Sequence, residues 1–210
     1  TAPAVVEANA PLPKPQGIVA GSDSAPVEII EFGDFECPVC GQFATITEPD
    51  VMTRLVKTGR ARFRYLDFPL YPRPHPAALV AHNAALCAAD QNKFWEMHDR
   101  IYATQFEWST FANGRDMGAP RLMKRYAKEL GLDTKAFDAC FDASKFEPQI
   151  KANQAEGFRV GMQNRGTPTF FIGKRVMSGA LPYDVIKAMV DSATADAKKP
   201  TSSRGGPGSS

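Results

Sequence analysis

The segment from Val27 to Gly41 constrains the fold of this chain most, because it has the pattern of a β-strand that runs directly into a helix. Its apolar side chains are β-branched or aromatic, as in a buried strand: Ile29, Ile30, Phe32 and Phe35. Pro38 then suits the first position of a helix, where a missing N–H costs nothing. The segment therefore predicts Cys37 at the start of a helix and Cys40 one turn further in.

The position and spacing of these two cysteines predict thiol–disulfide exchange. A helix N-terminus has free backbone N–H groups and the positive end of the helix dipole. A thiolate at Cys37 is stabilised there, so we expect the pKa of Cys37 to be lowered. Cys40 can then attack a mixed disulfide formed at Cys37. We expect Cys37 to be the nucleophile and Cys40 the resolving thiol.

A C-x-x-C pair also occurs in zinc sites, but those usually need a second pair of ligands. The other two cysteines, Cys87 and Cys140, are single and far apart, and no two histidines have H-x₃₋₅-H spacing. The histidines are interpreted as capping or packing residues: His75, His82 and His98. We therefore predict a redox site with no metal and no cofactor, and metal binding by the dithiol is the alternative.

Composition and charge narrow the class of protein. A chain of 210 residues with 43% hydrophobic residues fits one domain with a sizeable core. The formal net charge of +2 gives no indication of a nucleic-acid partner. No apolar run approaches the length of a membrane span, and no signal peptide is recognisable at the start. Four cysteines, an even number, are compatible with an oxidising compartment.

The order of the predicted elements indicates an α/β fold. A helix from Pro38 to about Lys57 precedes a strand within Arg60–Leu70, and this order favours a parallel βαβ unit. Helical patterns then continue through about residues 74–163, which predicts an inserted helical subdomain within a main domain at 17–195.

Both ends of the chain have the composition of unstructured segments. Residues 1–16 are rich in Ala and Pro and predict a flexible linker. Residues 196–210 are rich in Gly and Ser and predict a disordered tail.

Two glutamates near the dithiol need separate interpretations. Glu31 lies between Ile30 and Phe32 in the apolar strand, where a carboxylate is costly unless it is paired or protonated. It either faces solvent or is a buried acid–base group that exchanges a proton with Cys40. Glu36 is expected to be an exposed surface residue that opposes thiolate formation at Cys37.

Cys87 and Cys140 both fall on apolar faces of predicted helices within the insertion. They are either buried free thiols, which behave as small hydrophobes, or a structural disulfide. A bridge would close a loop of about fifty residues and stabilise the fold by roughly 4 kcal/mol in the chain-entropy model. We favour the disulfide because both residues belong to one helical unit.

Thr167 and Pro168 precede a second apolar strand, Thr169–Ile172. A proline there is normally a device for starting a strand. A cis Thr167–Pro168 bond would aim the Thr167 backbone at an extended peptide, although cis is the minority state of such bonds. We expect Thr167, with Pro38 and Val39, to contact the substrate.

Three motifs in order resemble the DsbA-like thioredoxin-fold family over about residues 17–195. They are Glu31-Phe32 through Cys37-Pro38-Val39-Cys40, Lys93-Phe94-Trp95-Glu96-Met97-His98, and Gly166-Thr167-Pro168-Thr169-Phe170-Phe171. The resemblance implies a thioredoxin fold with an inserted helical subdomain, Cys37 as nucleophile, Cys40 as resolving thiol and Pro168 as the cis-proline. It also implies a buried acidic role for Glu31, an extracytoplasmic setting and a membrane partner that reoxidises the protein.

Val39 departs from the best-known bacterial oxidants of this family, which have His between Pro and the second Cys. An imidazole would help to stabilise the Cys37 thiolate, and Val39 cannot. We therefore expect a less depressed Cys37 pKa and a less oxidising disulfide than in the His-containing members. A Cys37 pKa as low as about 3.5, the extreme of the known range, would contradict this.

We predict a thiol–disulfide oxidoreductase that donates the Cys37–Cys40 disulfide to cysteine-containing proteins during oxidative folding. We expect the protein to be periplasmic, part of the cell envelope or secreted. Its expected partners include a membrane protein that reoxidises or reduces the dithiol, and no nucleic acid is expected among them. A reductase or isomerase of the same fold is the first alternative. A chaperone or metal-binding module without turnover is the second.

Overall fold

The computed structural model describes residues 6–7 and 17–198. Most of the linker predicted at 1–16, and the predicted tail beyond Lys198, therefore lie outside the described residues. The linker prediction was wrong for Val6 and Glu7, because they form a strand that pairs with Val176 and Arg175. The tail prediction was wrong for residues 196–198, because they form the last turn of a helix that begins at Tyr183.

The described strands form one mixed sheet in the order β1-β6-β5-β3-β4-β2. Their bounds are Val6–Glu7 (β1), Ile18–Ala20 (β2), Glu28–Gly33 (β3), Arg62–Asp67 (β4), Thr169–Ile172 (β5) and Arg175–Ser178 (β6). β3 and β4 are parallel, and the remaining neighbours are antiparallel. Because β3 lies between β4 and β5 with helices over the sheet, its apolar residues are buried on both faces.

The helix after β3 runs without interruption from Pro38 to Val56 and contains two π-helical stretches, Phe43–Thr47 and Met52–Val56. Its α-helical parts are α1 (Pro38–Gln42) and α2 (Glu48–Val51). It leads into β4, which pairs with β3 in parallel register, so the predicted βαβ unit is present.

Seven helices between β4 and β5 form the insertion. They are α3 (Ala78–Ala89), α4 (Phe94–Ala103), α5 (Gln105–Trp108), α6 (Thr110–Asn113), α7 (Ala119–Glu129), α8 (Thr134–Asp142) and α9 (Glu147–Arg159). A 3₁₀ turn at Met162–Asn164 leads back to the sheet, and α10 (Tyr183–Lys198) closes the described chain. This arrangement confirms the predicted α/β class and its inserted helices.

The insertion has its own apolar core, which reaches the dithiol. Trp108, Tyr126 and Phe137 are fully buried in it, and the same cluster includes Cys37 and Cys40. Cys87 on α3 and Cys140 on α8 are joined by a disulfide, with their Cα atoms 5.9 Å apart. The bridge therefore connects α3 and α8 through two cysteines that lie 53 positions apart in the sequence.

Candidate active site

The two cysteines of the C-x-x-C segment lie where β3 passes into α1. Cys37 is the residue that precedes the first turn of α1, with extended backbone angles, and Pro38 opens the helix. Both cysteines are free thiols in this structure. Cys37 retains 6% of its surface exposed, whereas Cys40 is fully buried. An incoming thiolate can therefore reach only the first sulfur of the pair.

The two thiols have opposite pKa shifts. The hydrogen bond from Cys40 is the largest influence on Cys37 and, together with Thr167, lowers the pKa of Cys37 to about 6 against the opposing effect of burial. Burial raises the pKa of Cys40 well above its ordinary value, and the hydrogen bond and charge of Cys37 raise it further. Near neutral pH Cys37 is a thiolate and Cys40 keeps its proton. This is the division that a nucleophile and a resolving thiol require.

Thr167 and Pro168 face Cys37 from the start of β5. The Thr167–Pro168 peptide bond is cis. In the thiol form, Cys37 donates a hydrogen bond to the Thr167 carbonyl oxygen at 3.3 Å. The Thr167 hydroxyl is buried and accepts or donates no other hydrogen bond among the described residues, so it can donate to the Cys37 thiolate, which is how Thr167 lowers the pKa of Cys37. Pro38 and Val39 are exposed beside this contact.

Glu31 lies beneath the dithiol on the central strand. It is 1% exposed and stands opposite Tyr65 and Phe170 in the sheet, so the structure shows the buried alternative and not the solvent-facing one. Its Oε2 atom has no hydrogen-bond partner among the described residues. Burial, and then the charge of Cys37, raises the pKa of Glu31 to about 8. Glu31 can therefore give up or accept a proton near neutral pH.

Asp34 organises the turn before Cys37 and was not singled out from the sequence. Its amide donates to Cys40 Sγ at 3.5 Å, and its carboxylate accepts from the Glu36 and Leu70 amides at 2.8 and 2.7 Å. Burial opposes ionisation of Asp34, but hydrogen bonds from His75 and His82 outweigh it and lower its pKa to about 2. Asp34 is thus a fixed negative charge that holds the dithiol turn.

The prediction that Glu36 is exposed was wrong. Glu36 is fully buried, and its carboxylate accepts hydrogen bonds from the Ala77 amide at 2.6 Å, the Phe111 amide at 2.8 Å and the Ser109 hydroxyl at 3.1 Å. These three donors satisfy the carboxylate inside the protein, which removes the cost of burying it. Glu36 therefore attaches the insertion to the dithiol turn.

Gln105 of α5 is a second residue that the sequence did not indicate. Its side-chain amide donates to the Phe35 and Cys37 carbonyl oxygens at 2.7 and 2.9 Å. A Cβ atom at Gly41 would lie 2.8 Å from the Gln105 Oε1 atom, so a larger residue there would displace the Gln105 side chain from this position. The insertion thus also fixes the backbone around Cys37.

None of the helices in the described part of the chain has the length and apolar character needed to cross a membrane.

A family model described as Thioredoxin matches residues 14–192 of this chain. Among curated proteins, Na(+)/H(+) antiporter NhaA 1 of Salinispora arenicola is 34% identical over 191 residues, which are 91% of this chain and 27% of that protein. Disulfide bond formation protein D of Bacillus subtilis is 26% identical over 178 residues, 82% of this chain and 75% of that protein. The chain thus spans about a quarter of the antiporter relative's length.

Solved structures resemble the whole described fold. BdbD from Bacillus subtilis in its oxidised form superposes with a TM-score of 0.74 at 23% identity, covering 90% of this chain and all of that one. The α-DsbA1 structure from Wolbachia pipientis gives a TM-score of 0.75 at 21% identity, covering 89% and 94%. These likenesses confirm the fold, including its inserted helices. With the family model matching most of its length, the chain belongs to the thioredoxin family and has the DsbA-like form of that fold.

Proposed function

We propose that this chain is a protein-disulfide oxidoreductase that donates a Cys37–Cys40 disulfide to cysteine-containing proteins outside the cytoplasm. The observation that carries the proposal is the unequal cysteine pair. Cys37 is reachable and has a pKa lowered to about 6, whereas Cys40 is fully buried and keeps its proton. A metal site would need both sulfurs as thiolates together with further ligands.

The proposed reaction begins on the oxidised protein. A substrate thiolate attacks Cys37 Sγ, the Cys37–Cys40 bond breaks, and its electron pair leaves on Cys40, which takes a proton from Glu31. A second substrate thiolate then attacks the substrate sulfur of the mixed disulfide and releases Cys37 as a thiolate. The substrate loses two electrons and gains a disulfide, and the protein gains two electrons as the dithiol. The lowered pKa of Cys37 makes it a good leaving group in the second step.

Thr167, Pro168, Pro38 and Val39 are the proposed contacts for the substrate. The two segments lie on either side of Cys37, since the Thr167 carbonyl oxygen is 3.3 Å from its sulfur and Pro38 follows it directly. An extended substrate segment with its cysteine at Cys37 would therefore lie between them. The exposed Val39 side chain adds an apolar surface next to the sulfur.

The reduced protein must lose two electrons and two protons before another cycle. We propose an oxidising partner in the membrane for this step and an extracytoplasmic location for the chain. The similarity to disulfide bond formation protein D supports a role in forming disulfide bonds, which requires that the dithiol be reoxidised after each transfer. Direct reoxidation by a small disulfide is the simplest laboratory substitute.

The test is oxidation of a reduced two-cysteine peptide whose fluorescence changes when its disulfide forms. We expect the oxidised protein to convert about one peptide per protein, and the Cys37→Ser variant to convert none. Cys87→Ala/Cys140→Ala is the matched control and should retain transfer, since that pair lies in the insertion. A Cys37→Ser variant that retains transfer would contradict the proposal, as would a protein that only suppresses aggregation.

A further inference from the structure

A row of polar side chains leads from the buried interior beneath the dithiol to the surface. Glu48 on α2 is 3% exposed, and its Oε2 atom lies 3.7 Å from Nε2 of the fully buried His98 on α4. The other ring nitrogen of His98 lies 2.9 Å from Oδ1 of Asp99, whose side chain is 75% exposed. Both nitrogens of the imidazole therefore face a carboxylate, one inside the protein and one in solvent.

The row borders a surface groove of about 760 Å³. Glu48, Asp99 and Tyr102 contribute polar groups to its lining, and Ala44 and Trp95 contribute apolar surface. The Tyr102 hydroxyl is 3.1 Å from the hydroxyl of Tyr65, the strand residue opposite Glu31. The groove therefore reaches the side-chain layer in which Glu31 is buried.

Three buried polar atoms of this region lack hydrogen-bond partners among the described residues. They are Glu31 Oε2, Glu48 Oε2 and His98 Nε2. Leaving such atoms unpaired in the interior is costly, and a role in catalysis or proton transfer is one reason for a fold to keep them. Groups that receive and release a proton need a free lone pair in one of their two states.

We propose that Glu48, His98 and Asp99 form the outer half of a proton path between Cys40 and solvent, with Glu31 as its inner half and the groove as its exit. This rests on the proposed function, since the path matters only if Cys40 gains and loses a proton in each cycle. Cys40 is fully buried and so does not contact solvent directly.

The path operates when the reduced protein is reoxidised. The Cys37 thiolate first attacks a disulfide and forms a mixed disulfide. Cys40 then transfers its thiol proton to the Glu31 carboxylate and attacks Cys37 Sγ, and the departing thiolate takes the electron pair of the broken bond. Glu31 passes the proton to Glu48, and His98 and Asp99 transfer it to water. The same groups return a proton to Cys40 when the disulfide is donated.

Charged and titratable groups face Glu48 from each neighbouring element. They are His98 and Asp99 on α4 and Glu31 on β3, whose charges act on Glu48, and Tyr102 and Lys57, which line the same groove. Burial is the largest influence on Glu48, opposed by the charge of His98 and reinforced by that of Glu31, and raises its pKa to about 8. Glu31 and Glu48 therefore match each other as proton donor and acceptor.

The test separates the two chemical steps of reoxidation by oxidised glutathione. Protein reduced at Cys37 and Cys40 is mixed rapidly with oxidised glutathione, quenched in acid and followed by mass. Formation of the mixed disulfide reports Cys37, and its loss reports Cys40. We expect Glu48→Gln to leave the first step unchanged and to slow the second step about tenfold. Glu31→Gln, which removes the group that exchanges a proton with Cys40 directly, should slow the second step by roughly 100-fold.

Asp50→Asn is the matched control, because Asp50 is an exposed carboxylate on the same helix, ion-paired with Arg54. It should change neither step. A second variant, Glu48→Ala, opens the row to the groove, and added formate should restore its Cys40 step. A merely structural role of Glu48 would slow both steps or resist rescue by formate.

An unchanged Cys40 step in Glu48→Gln would overturn the proton path but leave the proposed function intact, provided that the wild type completes both steps. The proton path would also be overturned if the wild type bound one equivalent of Zn²⁺ and Glu48→Gln bound none. Glu48, His98 and Asp99 would then be a cation site. A wild type that never forms the mixed disulfide would contradict the proposed function itself.

Discussion

At the scale of single residues, the chemistry depends on how unequally the fold treats similar groups. Cys37 and Cys40 lie three positions apart, yet the pKa of one is lowered to about 6 and that of the other is raised. Likewise, Asp34 has a pKa lowered to about 2 by two histidines, whereas Glu31 has a pKa raised to about 8 by burial. Position relative to donors and to solvent, and not residue type, therefore decides which groups exchange protons.

Val39 is the residue that best tests how the Cys37 thiolate is stabilised. Its side chain is 40% exposed beside the sulfur, so an imidazole can be accommodated there. We expect Val39→His to lower the Cys37 pKa from about 6 by roughly one unit, because a cationic or donating ring favours the thiolate. The pH dependence of Cys37 alkylation by iodoacetamide measures this.

Val39→Gln is the control for side-chain size, and a shift as large as that of the histidine would show that charge is not the cause. The reduction potential should rise by about 30 mV for each unit by which the Cys37 pKa falls, since a tenfold change in the two-electron equilibrium is 29.6 mV. A wild-type alkylation midpoint near 3.5 would contradict the role assigned to Val39.

Glu31→Gln should change stability in a pH-dependent way. Because the folded-state pKa of Glu31 is raised to about 8, its favourable contribution is fully present below the unfolded pKa near 4.5 and is lost as the pH rises through 8. Glutamine has no such loss, so the variant should match the wild type at pH 4.5 and exceed it at pH 8.5, by on the order of 3 kcal/mol.

Urea unfolding at the two pH values measures the difference in unfolding free energy between the variant and the wild type. The oxidised proteins can be used, because burial, the larger cause of the raised Glu31 pKa, acts in the oxidised form too. Glu129→Gln, an exposed glutamate paired with Arg100, serves as the control. An equal effect of Glu31→Gln at both pH values would mean that the carboxyl is ionised or solvated in the folded protein.

At the scale of elements, local signals predicted the strand, the helix start and the cysteine positions, because strand composition and a proline at the first helical position act within a few residues. The partners of Glu36 lie 41, 73 and 75 positions away, at Ala77, Ser109 and Phe111. No local pattern shows that such donors will converge, so the exposed prediction failed. For the same reason, the sequence did not decide whether the Glu31 side chain faces solvent or the interior.

The contacts of Asp34, Gln105 and Glu48 also join residues that are far apart in the sequence. Each joins the dithiol region to an element of the insertion or of the long helix, and each was missed. An acidic residue inside an apolar segment, as at Asp34 and Glu36, is the one signal that could have raised the question.

The disulfide between α3 and α8 should matter for stability and not for transfer. It closes a loop across 53 positions, for which the chain-entropy model gives roughly 4 kcal/mol. We expect Cys87→Ala/Cys140→Ala to lose about that much unfolding free energy in urea while its peptide oxidation stays within twofold of the wild type. If the double variant kept the unfolding free energy of the wild type but lost most of its peptide oxidation, the disulfide would have a catalytic role and the prediction would be wrong.

At the scale of the whole molecule, the thioredoxin part supplies the dithiol and the strand with Glu31, and the inserted helices supply the groups that hold and surround it. Glu36, Gln105 and His98 connect the two parts. The chain covers most of a disulfide bond formation protein but about a quarter of the antiporters it resembles. A segment similar to this chain thus makes up most of one relative and about a quarter of the other.

The equilibrium reduction potential of the Cys37–Cys40 pair tests the central claim most directly. The protein is equilibrated in glutathione buffers at pH 7, alkylated and digested, so that mass spectrometry separates this pair from Cys87 and Cys140. A disulfide donor with a Cys37 pKa near 6 should lie between about −120 and −200 mV. A potential near −270 mV or lower would identify a reductant and contradict the proposed direction of transfer.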